Sequence, residues 1–183
     1  MYWNLQESDR FSHKQQFLDE LEPEFFTYIL TGTNVDKNGA SKIYGTVSAR
    51  MLAAHSAPQP DYAYSEFRRD MGKIPGGTQA WELKVLAVDP SLYRMGIGSM
   101  LQDIAEAEIK KRVTLARVQI EKVTTESAGP GDILFTLTTL AEVNEKYYKR
   151  RGYRTTQMVP LKLGQLGNIK ECHIAHMEKV LEL

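Results

Sequence analysis

Two glycines and a pair of tyrosines are the residues whose spacing suggests chemistry. Tyr93-Arg94-Met95-Gly96-Ile97-Gly98-Ser99 follows an apolar run, Trp81 to Val88, that is closed by Asp89-Pro90. Ile97, Leu101, Ile104 and Glu108 then set a helical period to about Arg112, and no glycine stops it before Ile120. Strand, glycine turn and helix in that order make a seat for phosphate. The first N–H groups of a helix lack partners, the positive end of its dipole faces the same way, and glycine lets an anion approach the backbone. A dinucleotide fingerprint needs a third glycine where Leu101 stands. A P-loop needs Lys and Ser/Thr where Ser99 and Met100 stand. Spacing excludes both.

About fifty residues after Gly98 comes Tyr148-Lys149-Arg150-Arg151-Gly152-Tyr153, at the end of a segment with helical character. Taken together, Val88-Asp89-Pro90 with Met95-Gly96-Ile97-Gly98-Ser99 resembles the acyl-CoA pyrophosphate loop of the GNAT superfamily of N-acetyltransferases, Gln/Arg-x-x-Gly-x-Gly/Ala. The second run resembles that superfamily's Tyr-x-x-x-Gly-Phe/Tyr helix end. The match departs at Tyr93, which occupies the Gln/Arg position, with Arg94 one step later. The resemblance covers the chain from Tyr2 to Val180 and is specific for fold rather than for acceptor.

The resemblance implies an acyltransferase that moves an acetyl group from acetyl-CoA to a primary amine by direct attack in a ternary complex. Backbone groups of Leu86, Ala87 and Val88 are then expected to pair with the pantetheine arm. The loop from Tyr93 and Arg94 through Met95, Gly96, Ile97, Gly98 and Ser99 is expected to hold the pyrophosphate on its N–H groups. Positioning two reactants in line is the first source of rate. Proton management is the second, since a protonated amine cannot attack and a departing thiolate needs an acid. Tyr148 falls on the acid position, although the adjacent Tyr147 shows that aromatic rings also pack here. Glu82, on the strand ending at Val88, is the candidate base or else only a solvated strand end. Strict alternation would put Glu82, Lys84 and Leu86 on one face. Asn144, one turn before Tyr148, either hydrogen-bonds the pantetheine or faces water. A catalytically silent acyl-CoA-binding or regulatory module on the same fold is the alternative function. A protein-interaction domain whose glycine turn binds nothing is a further one.

The elements that must position these residues are legible as well. Tyr2–Leu5 suits a short strand, and Ser8 or Asp9 caps a helix ended by Pro23. Phe25–Leu30 and Lys42–Val47 read as a hairpin around Asp36-Lys37-Asn38-Gly39. Residues 53–79 form a long Ala/Pro/Ser/Gly-rich insertion, either functional or simply surface. After the break at Ser127–Gly131 come a strand at 133–139, a helix at Glu142–Arg151 stopped by Gly152, and strands near Tyr153–Leu163 and Cys172–Val180. The last two are joined by the Gly164–Asn168 turn. The expected fold is α/β: a single domain over 1–183 whose mixed, mostly antiparallel sheet splays between the strands at 80–88 and 133–139 and is flanked by helices.

Composition narrows the classes. At 183 residues, one domain is favoured. Lys plus Arg is 23 and Asp plus Glu is 23, so the net charge is zero, which argues against nucleic-acid binding through a basic field. Lys146, Lys149, Arg150, Arg151 and Arg154 form the densest basic run, read either as attraction for CoA phosphates or as a solvated helix end. Asp19, Glu20, Glu22 and Glu24 are its acidic counterpart and make a cationic amine acceptor conceivable. Cys172 is the sole cysteine, so no intrachain disulfide forms and a reducing compartment is expected. The chain shows neither a signal-peptide pattern at its start nor a run of apolar residues long enough to span a membrane. The reading is cytoplasmic, with the nucleus left open, as monomer or homodimer. No metal is expected, since His173 and His176, three apart on a strand, point to opposite faces. Trp3 and Trp81 read as core or rim.

Overall fold

The computed structural model describes residues 25–35, 41–52, 79–123, 132–162 and 170–183. Within them the chain forms β1 (Phe25–Val35), β2 (Ser41–Leu52), β3 (Gln79–Val88), α1 (Ile97–Val123), β4 (Ile133–Leu140), α2 (Ala141–Arg150), β5 (Arg154–Leu161) and β6 (Cys172–Leu181). The expected N-terminal strand and helix, the hairpin turn at 36–39, the insertion up to residue 78 and the turns at 127–131 and 164–168 lie outside the described residues.

One six-stranded sheet has the order β1-β2-β3-β4-β6-β5. β3 and β4 are parallel, and every other neighbouring pair is antiparallel. A parallel pair needs a long crossover, and α1 supplies it. The C-terminal strand, β6, lies between β4 and β5. The parallel pairing runs only from Gln79↔Ile133 to Leu83↔Leu137. Beyond it the two strands part, so among the described residues Lys84–Val88 keeps only β2 as a neighbour. This is the expected splay.

β3 also departs from strict alternation. Val85 faces Ser48 and Leu83 faces Ala49, which leaves Lys84 as an extra residue, a β-bulge. Leu83 and Leu86, opposite Ala49 and Val47, therefore share the core face, while Glu82 lies on the other. The expectation that Glu82, Lys84 and Leu86 share one face fails for Leu86, because one inserted residue reverses the phase of a period-two strand.

Both helices cover the core face. Leu101, Ala105, Ile109 and Val113 form the buried stripe of α1 and pack with Val47, Ala49, Trp81, Leu83, Phe135 and Tyr148. The helix approaches β2 closely because Gly45 has no side chain. A Cβ there would lie 2.8 Å from Leu101 Cδ1 and 3.0 Å from the Ala87 carbonyl oxygen. Phe26 at the sheet edge packs on Trp81 at 5.9 Å between ring centroids, with the Arg112 guanidinium 4.9 Å over its ring.

Candidate active site

The loop between β3 and α1 is built by local hydrogen bonds. Asp89 accepts from the Ser91 N–H at 2.8 Å and the Ser91 hydroxyl at 2.6 Å, and Lys42 lies 2.9 Å from its other oxygen. These contacts start the short 3-10 turn Pro90–Leu92. The Ser91 hydroxyl first, then Lys42, bring the Asp89 carboxyl down to about 2. Arg94 (φ 65°) and Gly96 (φ 82°) are left-handed, with Met95 between them not so. Alternation of this kind turns successive N–H groups into one concavity. At Arg94 it is also local strain of the sort that gathers at ligand clamps.

α1 then begins after Gly96, which has no side chain to cap it. The Gly96 carbonyl accepts the Met100 N–H at 3.0 Å. The N–H groups of Ile97, Gly98 and Ser99 thus precede the first intrahelical donor, the Met100 N–H. No acidic residue occupies this first turn. The N–H groups of Tyr93 and Met95, by contrast, are engaged within the loop, on the Pro90 and Leu92 carbonyls at 3.3 Å. Their side chains and that of Arg94 are exposed.

The Tyr148–Tyr153 run has a local physical reason. Gly152, at φ 87°, stands just past the C-cap Arg151 of α2. The Gly152 N–H reaches the Lys149 carbonyl at 3.1 Å and the Tyr153 N–H reaches the Tyr148 carbonyl at 3.1 Å. That is a Schellman ending, completed by an edge-to-face contact of Tyr153 on Tyr148 with centroids 5.5 Å apart. The motif thereby fixes the Tyr148 ring. It is 7% exposed, and burial pushes its hydroxyl far above the usual phenol range, so it stays protonated.

The structure brings several expected site residues together. Leu86 and Val88 from the unpaired half of β3, Ile97 from the glycine turn and Tyr147 from α2 pack on the cluster that holds Tyr148. Ala87, between Leu86 and Val88, is exposed. Glu82 sits on the other face, at the last stretch where β3 and β4 are still paired. Arg50 donates to its Oε2 from Nε and Nη2, each at 2.9 Å, and Lys84 lies 3.8 Å from the same oxygen. Asn144 is exposed and donates to the Thr139 hydroxyl at 2.9 Å.

The basic run is largely tied to carboxylates. Lys149 pairs with Glu145 at 2.8 Å, Arg151 with Asp103, and Arg154 with buried Glu178 at 2.6 Å. His173 meets Glu142 at 2.8 Å, while buried His176 lies 3.0 Å from the Thr138 hydroxyl on the opposite face. Among the described residues no group of three His, Cys, Asp or Glu is placed to hold a metal, and no helix is long and apolar enough to cross a membrane.

Sequence reasoning missed Gln102. It is 0% exposed, accepts from the Tyr147 hydroxyl at 3.1 Å and donates to Glu106 at 3.0 Å. The available signal was its place on α1: a polar residue next to Leu101 and one turn before Ala105 and Glu106, on the side that packs.

No family model and no curated protein sequence matches the chain. Solved structures do. Arabidopsis thaliana NAA60 in complex with a bisubstrate analogue aligns over 93% of this chain and 85% of its own, at 14% identity and TM-score 0.53. The ribosomal-protein-S18-alanine N-acetyltransferase of Escherichia coli covers 93% and 78%, at 12% identity and TM-score 0.55. An aminoglycoside 6'-N-acetyltransferase complexed with coenzyme A covers 91% and 77%, at 15% identity and TM-score 0.50. The chain has the GNAT N-acetyltransferase fold.

Proposed function

We propose that the chain, as one N-acetyltransferase domain, moves an acetyl group from acetyl-CoA to a primary amine of a protein or small molecule. The observation that carries this reading is the uncapped, glycine-led start of α1, which opens beside the half of β3 that β4 has left. The N–H groups of Ile97, Gly98 and Ser99 suit a diphosphate. Those of Arg94 and Gly96 join them, while Met95 and Tyr93 contribute to loop shape. Backbone groups of Leu86, Ala87 and Val88 suit the amides of a pantetheine arm, and Asn144 stands exposed on α2, one turn before Tyr148.

In this reading the amine nitrogen attacks the thioester carbonyl carbon, the C–S bond breaks, and the Tyr148 O–H donates to the departing sulfur. Its raised pKa makes it a standing hydrogen-bond donor rather than an ionised group. Glu82 receives the amine's proton on Oε1, since Arg50 and Lys84 both engage Oε2. The pairing with Arg50 also favours a second reading, a silent acyl-CoA-binding module, because the carboxylate is already engaged by a guanidinium through Oε2.

Isothermal titration with acetyl-CoA tests the site, and an acetyl-transfer assay over an amine panel tests the chemistry. Micromolar binding with transfer is the expected result, and binding without transfer selects the silent module. Gly98→Glu is expected to abolish binding, since it puts a carboxylate in the anion's seat. Gly98→Ala is the control for the fold, because a Cβ there meets the Tyr147 hydroxyl and Val88 Cγ2 only at 3.7 Å.

A further inference from the structure

α1 and α2 are joined by a polar seam that begins at the glycine turn. The Tyr147 hydroxyl lies 3.7 Å from where a Gly98 Cβ would be and donates to Gln102 Oε1 at 3.1 Å. It therefore reaches from α2 to the opening turns of α1, bonded at Gln102 and bordering Gly98. Gln102 passes the contact on to Glu106, whose carboxylate holds Lys179 of β6 at 2.8 and 3.0 Å. One turn further along α2, Arg151 pairs with Asp103. The Tyr147 ring in turn meets the Tyr148 ring edge-to-face at 5.0 Å.

We propose that Tyr147 is a positioning residue, a strut that fixes the first turn of α1 at a set distance from Tyr148 so that one acetyl-CoA molecule reaches both. The inference rests on the proposed function of that site. The geometry gives the two parts of the side chain different tasks. The hydroxyl, anchored on a fully buried amide, braces the turn whose N–H groups face the anion. The ring braces the proton donor. A buried hydrogen bond of this kind has consequences only if both partners are present, so Tyr147 and Gln102 must act as a unit.

The test is Tyr147→Phe, Gln102→Leu and the double variant, each titrated with acetyl-CoA and assayed for KM and kcat beside the wild type. Tyr147→Phe keeps the ring contact with Tyr148. It is expected to raise the Kd and KM for acetyl-CoA about three- to tenfold, the scale of one lost hydrogen bond. The kcat should fall by less than that factor. Gln102→Leu should do the same, and the double variant should be no weaker than the worse single one. Additive losses, or a Tyr147→Phe enzyme with unchanged Kd and KM, overturn the strut while the function of the site stands. A wild type that binds no acetyl-CoA overturns both. Should Gln102→Leu fail to fold, Tyr147→Phe decides through its split between KM and kcat, which general destabilisation would not produce.

Discussion

From Ala80 to Leu83, β3 is paired along both edges and buries Ala80, Trp81 and Leu83. From Lys84 to Val88 it keeps only β2 among the described residues, and none of its five side chains is fully buried. The same strand thus changes from core to margin within one bulge. An unpaired strand edge is ordinarily a liability that proteins blunt or cover. Here it lies within the sheet, at the fork between β3 and β4. The comparison shows how one element passes from anchorage to an open edge, with the bulge at Lys84 as the boundary.

The sharpest way to break that comparison is Tyr148→Phe. If the open half seats a thioester, loss of the hydroxyl is expected to lower kcat by about a hundredfold while leaving acetyl-CoA affinity within about twofold. An unchanged kcat removes Tyr148 from the mechanism. Next in size, Leu83→Ala in the closed half should cost about 3 kcal/mol in urea unfolding, as expected for a leucine buried in a core. Leu86→Ala in the open half should cost about 1 kcal/mol, and equal losses would dissolve the distinction. The smallest effect concerns Asp89, which closes the open half. Its folded pKa lies below the ordinary carboxylate value, so its stabilisation is present above about pH 4 and is lost as the pH falls through about 2. Asp89→Asn should flatten the decline of Tm between those values, and added salt should shrink the difference.

The sequence made the strand–turn–helix unit and the Tyr148–Tyr153 ending legible because each depends on local rules: apolar runs, glycine at left-handed positions, aromatic spacing. The strand at 80–88 and the helix from Ile97 follow them closely. The burial of α1 was less legible. Ile104, read as part of the period, is exposed, and Ala105 and Ile109 take the buried stripe instead, because β2 and Gly45 decide which face is covered. The bulge at Lys84 could not be read either, since an extra residue exists only relative to the strand it faces. Nor could the bonds of Arg50 to Glu82, or of Tyr147 to Gln102, which join residues 32 and 45 positions apart. Site residues set by their own segment were therefore visible, and their partners on other segments were not.

The place of β6 between β4 and β5 has a consequence for synthesis. As a nascent chain leaves the ribosome, β4 and α2 emerge early, but β5 has no neighbour to pair with until Cys172–Leu181 is also outside the exit tunnel. A nascent chain halted when β5 has left the tunnel but Cys172 has not would expose both flanks of that gap, an invitation to aggregation and to chaperones. Completion of the sheet, and with it the full packing around Tyr148 and Tyr153, awaits the final strand.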